Sequence, residues 1–167
     1  MQTTKSVSRP LLSQTENNTT LWIGHLQTEP NDHVAGQIFQ CPSEGQLNNI
    51  QVYSSAVHEP GEVSLTVHEF DIRNKTWGPS IGNASQFLQK GDDARWIQFS
   101  LQPVLLQKDT MYGFRLESPN ALIGIGEAAT ANKKPFSLGY EWKGDSTNQQ
   151  GHFLTYFSLT YKIELCA

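Results

Sequence analysis

Tryptophan is the residue type in this chain whose placement speaks most directly to chemistry, and that chemistry is recognition. An indole ring offers a flat apolar face that stacks on a sugar, while nearby amides and carboxylates bond the sugar hydroxyls. Trp77 stands with Asn74 in a polar stretch running from Asp71 to Gly82. A large ring on such a stretch needs either a fold-back partner or a ligand. Trp142 lies at the brink of Lys143-Gly144-Asp145. Strand alternation puts it on one face with Tyr140 and puts Glu141 on the other, so the pair serves either the core or a binding face. Trp77, Trp142, Tyr140 and Asn74 are the candidate ligand contacts. Trp22 and Trp96 fall inside strand patterns and read as structural.

A hard cation such as calcium takes roughly six to eight oxygens from several segments. Asp71 at a strand exit and Asp92-Asp93 in a glycine-led turn are the candidate ligands, against the alternative of solvated turn acids. No Asp-x-Asp-x-Asp-Gly loop is present. The histidines His25, His33, His58, His68 and His152 form neither His-x-His nor His-Glu-x-x-His. His25 and His33 flank one loop but lack a third ligand. No Gly-x-Ser-x-Gly occurs, and Gly124-Ile125-Gly126 lacks the third glycine and following helix of a phosphate cradle. Glu69, Asp71, Glu117, Glu127 and Glu141 are available for a glycosidase pair, but their surroundings single out none of them. The expectation is a protein that binds and does not catalyse, with no cofactor beyond structural calcium.

The elements that must position these side chains are strands. After Thr19-Thr20-Leu21-Trp22-Ile23 comes a loop from His25 to Asp32, then Gly36 to Gln40, stopped by Pro42. Leu47, Ile50 and Val52 form the apolar face of a third strand, and Glu59-Pro60-Gly61 is a turn. Val63, Leu65 and Val67 then alternate with Ser64, Thr66 and His68, the clearest half-buried strand. A short strand follows at Ser85 to Gln89, another carries Ile97, Phe99 and Leu101 up to Pro103, and the next carries Tyr112, Phe114 and Leu116. Leu122 to Gly126, Phe136 to Trp142 and a long strand from Phe153 to Leu165 complete the pattern. The only room for a helix is the N-terminal tail and Glu127 to Ala131. Frequent turns between short strands imply a sandwich or barrel. Residues 1–18 read as a polar tail and 19–167 as one domain.

Composition narrows the partners. Hydrophobic residues are 37% and charged residues 17% of the chain, so the surface rests on Gln, Asn, Ser and Thr. Such a surface suits strand-rich proteins and neutral hydroxylated ligands alike. A net charge of -4, with Lys133-Lys134 as the tightest cationic pair, leaves no footprint for nucleic acid. No apolar stretch is long enough to span a membrane, and the tail lacks the apolar run of a signal peptide. The compartment is therefore left open: cytoplasmic as written, or extracellular as a segment of a longer exported chain. Cys41 shares an inward face with Phe39, whereas Cys166 points away from Tyr161, Ile163 and Leu165, which argues against a disulfide.

From Ala35 to Ile163 the order of elements resembles a known group. The stretches are Gly36-Gln37-Ile38-Phe39, Leu47-x-x-Ile50-x-Val52 and Gly61-x-Val63-x-Leu65-x-Val67. The strongest are Trp96-Ile97-Gln98-Phe99-Ser100-Leu101-x-Pro103-Val104-x-Leu106 and Asp109-Thr110-Met111-Tyr112-Gly113-Phe114-Arg115-Leu116. Together they are similar to galactose-binding-like and carbohydrate-binding jelly-roll modules, accessory domains of secreted glycan-active proteins and phage tails. The resemblance implies a two-sheet antiparallel β-sandwich of jelly-roll type and a non-catalytic carbohydrate-binding role. It rests on core and turn residues, so it carries over no functional residue. The alternative is a structural or protein-interaction sandwich, an assembly or tail-associated module that binds no sugar.

Overall fold

The period-two pattern is realised through most of the chain. The computed structural model describes residues 7–26, 28, 31–130, 136, 139–145, 147 and 150–167. Pro30, Lys133 and Lys134 lie outside the described residues, as do Ala131 and two positions of the strand expected from Phe136. Among the described residues the strands are β1 (Ser8–Gln14), β2 (Thr19–His25), β3 (Asp32–Gln40), β4 (Gly45–Glu59), β5 (Gly61–Asp71), β6 (Thr76–Leu88) and β7 (Arg95–Leu106). They continue as β8 (Met111–Glu117), β9 (Leu122–Ala129), β10 (Gly139–Asp145), β11 (His152–Leu154), β12 (Phe157–Leu159) and β13 (Tyr161–Cys166).

All pairings are antiparallel. Hydrogen bonds run along the path β1-β13-β4-β9-β2-β3-β8-β5-β6, with β7 on β4, β10 on β3, β11 on β10 and β12 on β9. The expected all-β, antiparallel architecture is present, but as one strongly curled sheet, a half-barrel, in place of two clearly separate sheets. The long strand β4 is the reason. Its first part pairs with β13 and β7, and Ser54 to Glu59 pair with β9. Irregularities at Leu47/Asn49, Ser54/Ala56 and Val57/Glu59 bend it from one layer into the next.

The curl encloses one core. Val63, Leu65 and Val67 of β5 and Tyr112, Phe114 and Leu116 of β8 share it with Ile50 and Val52 of β4, Ile97 and Phe99 of β7, and Ile163 and Leu165 of β13. Phe114 meets Tyr161 edge-on, with ring centroids 5.7 Å apart. Each such side chain contributes about 1.5–3 kcal/mol on burial. Cys41 is buried and Cys166 half-buried, and both are free thiols.

Five local expectations are corrected. Ser8 to Gln14, read as tail, form β1 against β13. The polar stretch after Asp71 is a tight hairpin, and β6 starts already at Thr76. Pro79 sits where the β5–β6 register shifts, so it breaks no regular ladder. Glu127 to Ala129 extend β9 and are not helical, and the single long strand from Phe153 is broken into β11, β12 and β13. Pro103 likewise falls in a register shift, which lets β7 continue to Leu106.

A polar seam enters this interior. Gln37, Glu127, Glu141 and Tyr161 are all buried, and Gln37 Oε1 accepts the Leu159 N–H at 2.9 Å. As a carboxylate, Glu141 would leave both oxygens without a donor. Burial first, and the adjoining Glu127 carboxyl second, push its pKa up to about 10, so Glu141 keeps its proton beside Glu127. Lys143 Nζ lies 3.9 Å from Glu127 Oε2.

Two predictions follow from these backbones and burials. Gly24 has φ of +106°, and a Cβ there would run into the Ala121 carbonyl, whereas a Cβ at Gly91 meets nothing within 4 Å. In urea unfolding, Gly24→Ala costs about 1–3 kcal/mol, and Gly91→Ala stays within about 0.5 kcal/mol. The folded state holds the Glu141 proton from its ordinary 4.5 up to about 10, and the unfolded chain does not. Its contribution to stability is therefore full below pH 4.5 and is lost as pH rises toward 10, at about 1.4 kcal/mol per pH unit for one proton. Glu141→Gln removes this slope, so the variant gains on the parent between pH 5 and pH 8; parallel pH profiles would refute a protonated Glu141.

Candidate binding groove

Because Tyr112, Phe114 and Leu116 point into the core, Gly113 and Arg115 of β8 point to the outer face. Register then sets two rows across that face. Trp142, Gly36, Arg115 and Thr66 are successive cross-strand neighbours, and so are Tyr140, Ile38, Gly113 and His68. The two glycines leave a shallow seat that the Trp77 ring fills. A Cβ on Gly113 would fall 2.6 Å from Trp77 Cζ3, and one on Gly36 would fall 3.2 Å from Trp77 Cη2.

The β5–β6 hairpin delivers that ring. Phe70 and Trp77 are cross-strand partners. Asp71 Oδ1 accepts the N–H groups of Arg73 and Asn74 at 3.0 and 3.1 Å, and Oδ2 accepts Asn74 Nδ2 at 2.8 Å. The hydrogen bonds from Asn74 hold the Asp71 carboxyl below its ordinary pKa. Lys75, with φ of 52°, completes the reversal. Trp77 then packs edge-on against Trp142 at 5.3 Å and against His68 and Phe70 at 5.4 Å. Phe153 extends the layer to Phe70 and Tyr140. Trp142 Nε1 donates to the Gln150 carbonyl at 2.9 Å.

His68 belongs to the support of this layer. Its Nδ1 lies 2.9 Å from the Gly78 carbonyl, which can only accept, so Nδ1 carries the proton. Nε2 then accepts from the Thr66 hydroxyl at 2.8 Å. Burial holds the imidazole below its ordinary pKa against the Gly78 bond, and the charge of Arg115 adds to the fall. Arg115 itself is half-buried, which lowers its pKa. Its guanidinium lies 5.0 Å from the Trp77 ring centroid and 5.8 Å from that of Trp142. Between these groups opens a groove of about 330 Å³, lined by Lys75, Thr76, Trp77, Gly78, Arg115 and Gln150. Its volume is at the lower end for small-ligand sites.

The candidate residues distribute unevenly over this geometry. Trp77 lines the groove. Trp142, only 1% exposed, supports it from the sheet and has no face left for a ligand. Tyr140 is half-buried against Phe153, on the same outer face as Trp142, with Glu141 turned inward as alternation requires. Asn74 commits its amide to Asp71 in the turn. The three candidate calcium ligands each accept a backbone N–H. Asp71 holds the hairpin, Asp92 accepts the Gln89 N–H at 2.7 Å and pairs with Arg95 at 2.8 Å, and Asp93 accepts the Val57 N–H at 3.2 Å. His25 pairs with Asp32 at 2.8 Å. Among the described residues no group of three His, Cys, Asp or Glu side chains is placed to hold a metal.

Sequence reasoning passed over Arg115, Lys75 and two further aromatic clefts. Trp22 is 43% exposed and walls an apolar cleft of about 320 Å³ with Leu26, His58 and Leu122. Leu21-Trp22-Ile23 carried the signal, since three apolar residues in a row on a strand force one outward. Trp96 packs edge-on against Tyr53 and has Lys162 Nζ 4.1 Å above its ring, beside a third cleft of similar volume.

No protein-family model matches the chain, and no curated protein matches it in sequence. Among solved structures it is similar to the clostridial cysteine protease Cwp84 after propeptide cleavage, with a TM-score of 0.59 and 9% sequence identity. The match covers 98% of this chain and 41% of that one. A likeness at this identity is one of fold: an all-β domain of this shape occurs as part of a larger protein.

Proposed function

We propose that this protein is a non-catalytic binding module of jelly-roll type and that the groove at Trp77 takes one saccharide unit of a glycan. The observation that carries the reading is the combination of walls in one open groove. The Trp77 indole supplies an apolar surface, and Lys75, Thr76, Arg115 and Gln150 supply hydrogen-bonding groups beside it. Stacking with hydrogen bonds at the ring edge is the chemistry that recognises a pyranose. The same lining supports a non-catalytic role. Among the described residues no carboxylate or imidazole lines the groove to move a proton; both nitrogens of His68 are engaged, and the Glu127–Glu141 pair is buried on the inner side.

A second reading has its own observation. The cleft at Trp22 is apolar and exposed, which suits a protein partner in an assembly module.

The test is a glycan and polysaccharide screen read by tryptophan fluorescence and calorimetry. Trp77→Ala is expected to weaken saccharide binding by about tenfold, the worth of one stacked ring. Trp22→Ala and Trp96→Ala leave it within about twofold, with thermal melts confirming that each variant folds. Loss confined to Trp22→Ala moves the site to the other cleft. No binding across a broad panel, with and without calcium, overturns the saccharide reading in favour of a protein partner.

A further inference from the structure

We infer that the saccharide held at Trp77 carries an anionic group, a carboxylate or a sulfate, and that Arg115 grips it. The inference rests on the saccharide reading above and names the substrate class for that groove. A guanidinium presents five N–H donors in a planar fork that fits a carboxylate or sulfate edge with two parallel hydrogen bonds. Arg115 is half-buried and stacked on Trp77, so the fork is held in place by the ring beneath it. Among the described residues it forms no hydrogen bond and no ion pair. Arg95 shows the contrasting arrangement on this molecule, with Asp92 at 2.8 Å.

The surroundings of Arg115 reinforce the point. The chain carries a net charge of -4, yet among the described residues the groove lining holds two cations, Lys75 and Arg115, and no acid. Asp71, across the hairpin, is engaged by Arg73 and Asn74. Glu117, the next outward residue on β8, acts on Arg115 through its field and forms no ion pair with it. A neutral sugar needs hydroxyl partners and no cation. Two cations gathered beside a stacking ring without an ion-pair partner among the described residues fit a ligand that supplies that partner itself.

The experiment compares three oligosaccharides of equal length on the full chain: a uronate oligomer, a sulfated oligomer and a neutral one. Acidic ligands are expected to bind at least about tenfold more tightly than the neutral one, and to weaken as salt is raised. Arg115→Gln should cut acidic binding by about ten- to a hundredfold, a loss clearly larger than the one it causes for the neutral oligomer, which loses one hydrogen-bonding group only. Lys75→Asn, which keeps a residue tolerant of positive φ in an exposed turn, should cost the acidic ligands several-fold. If Arg115→Gln does not fold, Lys75→Asn and the salt dependence decide. Uronate preferred over sulfate assigns the fork to a carboxylate, and the reverse preference assigns it to a sulfate. Equal binding of neutral and acidic ligands, insensitive to both variants, overturns the anionic group but leaves the saccharide reading. No binding of any of the three overturns both.

Discussion

On β8 the commitment of Tyr112, Phe114 and Leu116 to the core forces Gly113 and Arg115 onto the opposite face. A slip of one residue would carry the Arg115 guanidinium into the apolar interior and Phe114 into water, an exchange that burial and desolvation both oppose. The core therefore fixes the register of β8 against β3 and β5, and that register fixes which side chains meet outside. Gly36 and Gly113 become neighbours of Arg115 and His68 only because Phe114 is buried. The groove inherits its geometry from packing that never touches it.

The outer face then builds a second, thinner layer. Trp77 enters from a hairpin whose turn is closed by Asp71, and it settles on glycines, where any side chain would displace the ring. Its Nε1 is buried without a hydrogen-bond partner among the described residues, which costs about 1–3 kcal/mol. Edge-on contacts with His68, Phe70 and Trp142, and the cation of Arg115 over the ring, offset that cost. The result is a rigid aromatic wall flanked by long polar side chains, in place of a lone indole on a loop.

Much of this was legible in the sequence, and what was not has physical reasons. Strands with clean alternation, such as β5 and β8, show in the residues themselves because one face is buried and the other is not. β6 hides because it is the last strand of the sheet path, carries Gly78, Pro79 and Gly82, and leaves Phe87 exposed, so its alternation is weak. β1 hides because it packs chiefly through Leu12 and pairs with a strand nearly at the other end of the chain. Trp77 stood out because a tryptophan amid polar residues is costly to expose. Arg115 and Lys75 did not, because their meaning lies in lining one groove without an ion-pair partner among the described residues, a property of three-dimensional arrangement. Glu127 and Glu141 belong to different strands with no local pattern joining them, so only the sheet brings their carboxyls together.

β10 ties the inner and outer halves of the molecule to each other. Successive residues on it face opposite ways: Trp142 outward into the aromatic layer, Glu141 inward against Glu127 of β9. The strand is paired along β3, but its inner contact depends on a proton, since two buried carboxylates side by side would repel and lack donors. While Glu141 holds that proton, its carboxyl lies beside that of Glu127 without charge repulsion, on the face of β10 opposite Trp142. Lys143, 3.9 Å from Glu127, is the only cation among the described residues within ion-pair reach of the pair. A general fold of this kind is shared with a domain of a protein that is 9% identical, so its curl demands little of any particular residue. The paired carboxyls inside and the glycine-seated tryptophan outside are local choices of this chain, and β10 borders both.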